Sequence, residues 1–164
     1  MPRFFLSLVL LVLPLQAYGK PIAAALPGAE LRGQATFRFL GLPIYQARLY
    51  TPGGEPLDWQ KELALELTYL RNIPETDLIE STLQEFSRTG ASLPVKDQLL
   101  QCFADVGKGD RYLAISNGPD KIMFWRNERQ TCTLSHPQIK QRFMTIFLGE
   151  NTRSPSFTRK LQGS

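Results

Sequence analysis

The sequence predicts an α+β fold, an antiparallel sheet with helices packed on one face. Three observations carry this. Turn residues flanked by apolar, aromatic-rich runs mark hairpins at both ends of the chain. One segment, 61–70, alternates with the period of a half-buried strand. Helix-period apolar stripes cluster in the middle and at the end rather than between successive strands, the pattern of an antiparallel sheet with segregated helices.

A loose lead over 20–28 precedes two extended arms, about 31–40 and 43–51, around a Gly41-Leu42-Pro43 bend. Thr51-Pro52-Gly53-Gly54 breaks the second arm. In 61–70, Leu63, Leu65, Leu67 and Tyr69 point one way, while Glu62, Glu66 and Thr68 are expected on a solvated face. Ile79, Leu83 and Phe86 then recur at helical spacing after Pro74, with Gly90 as the stop. Val95, Leu99, Cys102 and Phe103 form the next stripe, with Ser92 as its expected cap and Pro94 in the first turn. Strands are expected at 111–116 and 121–126 around Asn117-Gly118-Pro119-Asp120, with a third near 130–134 after the polar Asn127-Glu128-Arg129 turn. Ser135 and Gln138 have the spacing of a capping box for a last helix carrying Ile139, Phe143, Ile146 and Phe147, which Gly149 ends. The basic tail from Arg153 to Lys160 is expected as a solvated terminus.

Residues 1–19 read as an export signal: Arg3, the apolar run Phe4 to Leu15, and the small residues of Ala17-Tyr18-Gly19. An uncleaved anchor is the rival, but the run is short for a span of roughly 20 residues. Residues 20–164 then make one domain of 145 residues, with 18 basic against 15 acidic side chains, a net +3. That charge is mild and dispersed, giving no footprint for nucleic acid. No later run is apolar enough to cross a membrane. The expected location is periplasmic or secreted. The only cysteines, Cys102 and Cys132, are there a disulfide candidate; the alternative is two buried thiols packed as small apolar groups.

Residues 31–50, LRGQATFRFLGLPIYQARLY, carry more than a hairpin signal. Gly41, three residues, Tyr45, one residue, Ala47, one residue and Leu49-Tyr50 resemble the signature hairpin of the chalcone isomerase-like family. Further pieces of the resemblance are Leu65-Glu66-Leu67-Thr68-Tyr69 with Arg71-Asn72-Ile73, the run Phe103 to Asp110, and Phe143 to Gly149. It extends over about 28–162 and is to the secreted bacterial branch. It implies an open-faced β-sandwich. The family includes isomerases that cyclise chalcones with an arginine, ordered water and hydroxyl groups, and non-catalytic members that hold a fatty acid with an arginine and a tyrosine.

The residues depart from the catalytic pattern the resemblance implies. Leu40 stands at the threonine position, Pro27 near the arginine position with Arg32 displaced from it, and the segment Glu80 to Gly90 lacks the tyrosine and asparagine. His136, the single histidine, sits in an expected helix cap, so a nucleophile–histidine relay has no support. One histidine and two distant cysteines make no metal site, and no phosphate loop or cofactor motif is present. The expectation is an exported, non-catalytic protein binding a fatty acid or another small amphipathic ligand, with Arg38 and Tyr45 as ligand-binding residues. The alternatives are an isomerase or intramolecular lyase with a rearranged site, and a module that docks a protein partner of the envelope.

Overall fold

The computed structural model describes residues 20–164; the expected export signal lies outside them. Six strands form one antiparallel sheet whose spatial order is their sequence order. They are β1 (Ala29–Phe39), β2 (Leu42–Pro52), β3 (Ala64–Tyr69), β4 (Arg111–Ser116), β5 (Lys121–Arg126) and β6 (Arg129–Ser135). The helices are α1 (Lys20–Ala25), α2 (Glu75–Thr89), α3 (Lys96–Cys102), α4 (Ile139–Leu148) and α5 (Pro155–Leu161).

Side-chain alternation sorts the sheet into two faces. Leu65, Leu67 and Tyr69 join Ala47, Leu49, Tyr112, Ala114 and Phe124 in the main core, which is completed by Ile79 and Phe86 of α2, Leu99 of α3, Phe143 and Phe147 of α4, and Phe157 and Leu161 of α5. Four helices therefore cover one face, three of them the ones the stripes predict. The opposite face carries a smaller cluster in which Ile22 of α1 meets Tyr50, Ala64, Leu113 and Ile115. The lead segment is thus partly helical and packed.

That second cluster corrects the expected solvated face of β3. Glu66 is only 7% exposed; it lies between Arg48 at 3.9 Å and Arg111 at 4.0 Å. A carboxylate on a covered face needs such compensation. Glu62 turns instead to the β4–β5 connection, accepting from the Gly118 amide at 2.8 Å and from the Ser116 hydroxyl.

Turn chemistry moves three boundaries. The first hairpin turns on Leu40 and Gly41, with φ of 49° and 78°, so Phe39 pairs Leu42 and Pro43 lies inside β2. Two positive φ values are what a two-residue hairpin requires. The β5–β6 turn does the same with Asn127 and Glu128. At α3 the cap is Val95, not Ser92, and at α4 it is Gln138 in a left-handed conformation without a side-chain cap. Ser135 belongs to β6, where the Gln98 side chain donates to its carbonyl and accepts from its amide. The capping box therefore does not form, because edge pairing claims Ser135 first.

Cys102 at the end of α3 is bonded to Cys132 of β6, with Cα atoms 5.0 Å apart. At the other edge α5 packs on β1. Ser154 caps α5 by accepting from the Phe157 amide and Pro155 fills the first turn, so the expected solvated tail is helical, with Phe157 and Leu161 buried. The Arg32 Nε donates to the Gln162 carbonyl at 2.8 Å.

Candidate functional site

Helices two and four do not seal the sheet completely. Between them, the first hairpin and the 149–154 loop lies a cavity of about 540 Å³, within the range of sites for small organic ligands. Leu65, Leu67 and Ala114 of the central strands form part of its wall. Around them runs a closed circuit of aromatic contacts. Tyr45 meets Tyr69 at 6.1 Å, Tyr69 meets Tyr112 at 6.3 Å, and Tyr112 meets Phe103 at 5.5 Å between ring centroids. Phe103 meets Phe124 at 5.4 Å, Phe124 meets Phe143 at 5.3 Å, Phe143 meets Phe147 at 5.7 Å, and Phe147 returns to Tyr45 at 6.3 Å. All seven residues line the cavity. Most of these contacts are edge-on, the favoured arrangement of ring quadrupoles, so the wall is both apolar and stiff.

Few polar groups interrupt it. The Tyr112 hydroxyl accepts from the Ala104 amide at 2.9 Å. The hydroxyls of Tyr45 and Tyr69 have no hydrogen-bond partner among the described residues. Burial pushes both phenols far above their ordinary value, with a neighbouring tyrosine adding to each, and the charge of Glu85 acting further on Tyr45. Both remain protonated, with an O–H to offer.

Charge enters at Asp77 and Glu85 of α2 and at Arg153 of the loop between α4 and α5, all in the cavity wall. Arg88 donates to Glu85 through Nε at 3.1 Å and a terminal nitrogen at 2.6 Å, and Arg153 donates to the same carboxylate. Burial opposes ionisation of Glu85, yet the hydrogen bonds from Arg88 and Arg153 outweigh it and hold the carboxyl below its ordinary value. Arg153 is thereby held as the one cation among the described residues of the cavity wall, with Asp77 of α2 as a second carboxylate in the same wall.

The structure brings only one of the two expected ligand residues to the cavity. Tyr45 stacks on Phe37 across the hairpin at 5.1 Å, and both line the wall. Arg38 is outside it: its neighbours Phe37 and Phe39 line the cavity, while Arg38 is exposed and donates to the Gly41 carbonyl at 3.2 Å. His136 is also outside, its Nδ1 3.0 Å from the Pro137 carbonyl. Glu85 and Arg153 escaped the reading of the sequence. Glu85 sits among ordinary helix charges, but Ser154-Pro155 was a legible helix start that would have placed Arg153 at a helix entrance rather than in a tail.

The sequence matches no family model and no curated protein. In structure the chain is similar to a fatty-acid binding protein of Arabidopsis thaliana, whose crystal structure superposes with a TM-score of 0.63 at 8% identity over 84% of this chain and 88% of that one. The fold is therefore chalcone isomerase-like, the six-stranded open sheet with helices over its cavity side.

Proposed function

We propose that the protein is exported and binds a fatty acid, or a similar single-chain amphipathic anion, in the cavity beneath α2 and α4. The observation that carries this reading is the combination of a closed aromatic wall with a polar corner where the Arg153 guanidinium and the protonated Tyr45 hydroxyl offer donors. An acyl chain satisfies the wall by apolar burial. A carboxylate placed toward Tyr45 and Arg153 would accept from a neutral phenol and from a guanidinium, donors that a purely hydrocarbon ligand could not use. The structural neighbour's fatty-acid binding supports the class of ligand. Export is supported by the signal-like pattern of residues 1–19 and by the Cys102–Cys132 bond, since disulfides persist in oxidising compartments.

Displacement of a fluorescent fatty acid tests the reading. Palmitate is expected to compete saturably, and its methyl ester, which keeps the chain but loses the anion, about tenfold more weakly, the effect of losing one charge-assisted hydrogen bond. Absence of saturable binding, or equal competition by acid and ester, would overturn the proposed anchoring.

A further inference from the structure

The turn of the first hairpin concentrates the apolar exposure of the molecule. Among the described residues, three of the five large exposed hydrophobic side chains lie there: Phe39 at 55%, Leu40 at 87% and Leu42 at 51%. Leu40 occupies a positive-φ turn position that ordinarily falls to asparagine or glycine. The chain thus places a large apolar side chain at a strained site where nothing of its own covers it.

We propose that this turn is a lipid-docking tip, inserting Leu40 and its neighbours into the interface of an anionic phospholipid bilayer. Charge favours that occupant. Arg38 stands exposed directly before the tip, donating to the Gly41 carbonyl at 3.2 Å, and the nearby sequence from Leu31 to Gly54 holds no acidic residue. Basic side chains beside an apolar insertion are what an anionic leaflet attracts. Size favours it as well. A two-residue turn with three exposed side chains falls far short of the roughly 800 Å² per partner of a standard protein interface, whereas interfacial insertion needs only a shallow apolar element. The tip is also continuous with the cavity, because Phe39 both lines the cavity and is exposed at the turn. Docking would set the Phe39 side of the cavity against the lipid surface. The docking itself rests on the turn and not on the nature of the cavity's ligand.

The test is co-sedimentation of the purified protein with fatty-acid-free vesicles, either phosphatidylcholine alone or phosphatidylcholine with phosphatidylglycerol. Wild type is expected to bind the anionic vesicles more tightly. Leu40→Asn, which suits the positive φ and so keeps the turn, should lower that binding at least tenfold, the loss expected for a buried leucine. Arg38→Gln should weaken binding to anionic vesicles while sparing the neutral ones. Leu100→Asn, at an exposed leucine of α3, should change neither. No sedimentation of wild type, or equal binding by Leu40→Asn, would overturn the proposal. So would sedimentation velocity showing a wild-type dimer that Leu40→Asn converts to monomer, since a second copy would then cover the tip. Fatty-acid titration of Leu40→Asn in vesicle-free solution, expected to match wild type, keeps this result separate from the reading of the cavity.

Discussion

Arg153 and Glu85 are joined across 68 positions of sequence, and their contact ties the loop before α5 to the side of α2 that faces the cavity. Because Arg88 holds the same carboxylate from within the helix, the pair is both a structural clasp and the charged corner of the candidate site.

This clasp has a pH signature. The folded Glu85 carboxyl is held below its ordinary value of 4.5, so its stabilisation is present in full above that value and is lost as pH falls through the lower folded one. Glu85→Gln should therefore lower the stability of the protein by about 1 kcal/mol near neutrality, a modest figure because both arginines remain solvent-accessible. The difference from wild type should shrink as pH falls below 4.5. Urea unfolding of both proteins at pH 7 and pH 3 measures it, and a constant difference at both pH values would refute the assignment.

Tyr45 offers the clearest test of ligand anchoring. Tyr45→Phe keeps the ring contacts with Phe37, Tyr69 and Phe147 but removes a hydroxyl that has no partner among the described residues. Palmitate affinity should fall about tenfold, with folding stability unchanged or slightly higher. Because burial keeps the phenol protonated, wild-type affinity should show no tyrosine ionisation limb up to pH 10. His136→Ala should bind as wild type does. Equal affinity for Tyr45→Phe and wild type would remove Tyr45 from the site.

Gly33 tests the closure of α5 on the first hairpin. A Cβ there would lie 2.5 Å from the Leu161 carbonyl oxygen, 2.6 Å from that of Lys160 and 2.8 Å from the Gly163 amide nitrogen. These are backbone atoms and cannot swing away. Gly33→Ala should destabilise the fold by about 1–3 kcal/mol through overpacking, with faster amide exchange over 155–163 as the local readout. Wild-type stability and exchange would show that α5 does not need the close approach.

The Cys102–Cys132 bond closes a separation of 30 residues, which on the chain-entropy model contributes about 3–4 kcal/mol. The double Cys→Ser variant should unfold at correspondingly lower urea while retaining the Gln98–Ser135 pairing that holds the same edge. Coincident unfolding curves for oxidised protein and variant would contradict this.

The elements that the sequence announces are those whose signals are local and undisputed. The alternation of 61–70 announces a strand and the stripe of Ile79 and Phe86 a helix; both elements form, although β3 is covered on its second face as well. Where two local signals compete, tertiary pairing decides: Ser135 has a capping-box spacing, yet it completes β6 against Gln98. The fate of a charge is harder to read, because it depends on what lands opposite. Glu66 looks like any solvated strand residue until Arg48 lies opposite it on β2 and Arg111, diagonal to it on β4, comes within 4.0 Å. The candidate site was half legible for the same reason. Tyr45 was carried by a hairpin pattern, whereas Glu85 and Arg153 become a site only when α5 folds back.

That return of α5 also orders events in time. Each strand lies beside its sequence neighbours, so the sheet can be assembled hairpin by hairpin as the chain is delivered from its amino end. The first hairpin is the exception: Arg32 waits for the Gln162 carbonyl, 130 residues later, and Phe37 waits for Phe157, whose ring stands 5.7 Å away. The earliest-made hairpin is therefore among the last parts to be finished. A chain cut short before residue 155 would keep every strand but leave that seam open, displaying aromatic side chains to whatever proteases or chaperones inspect newly made proteins.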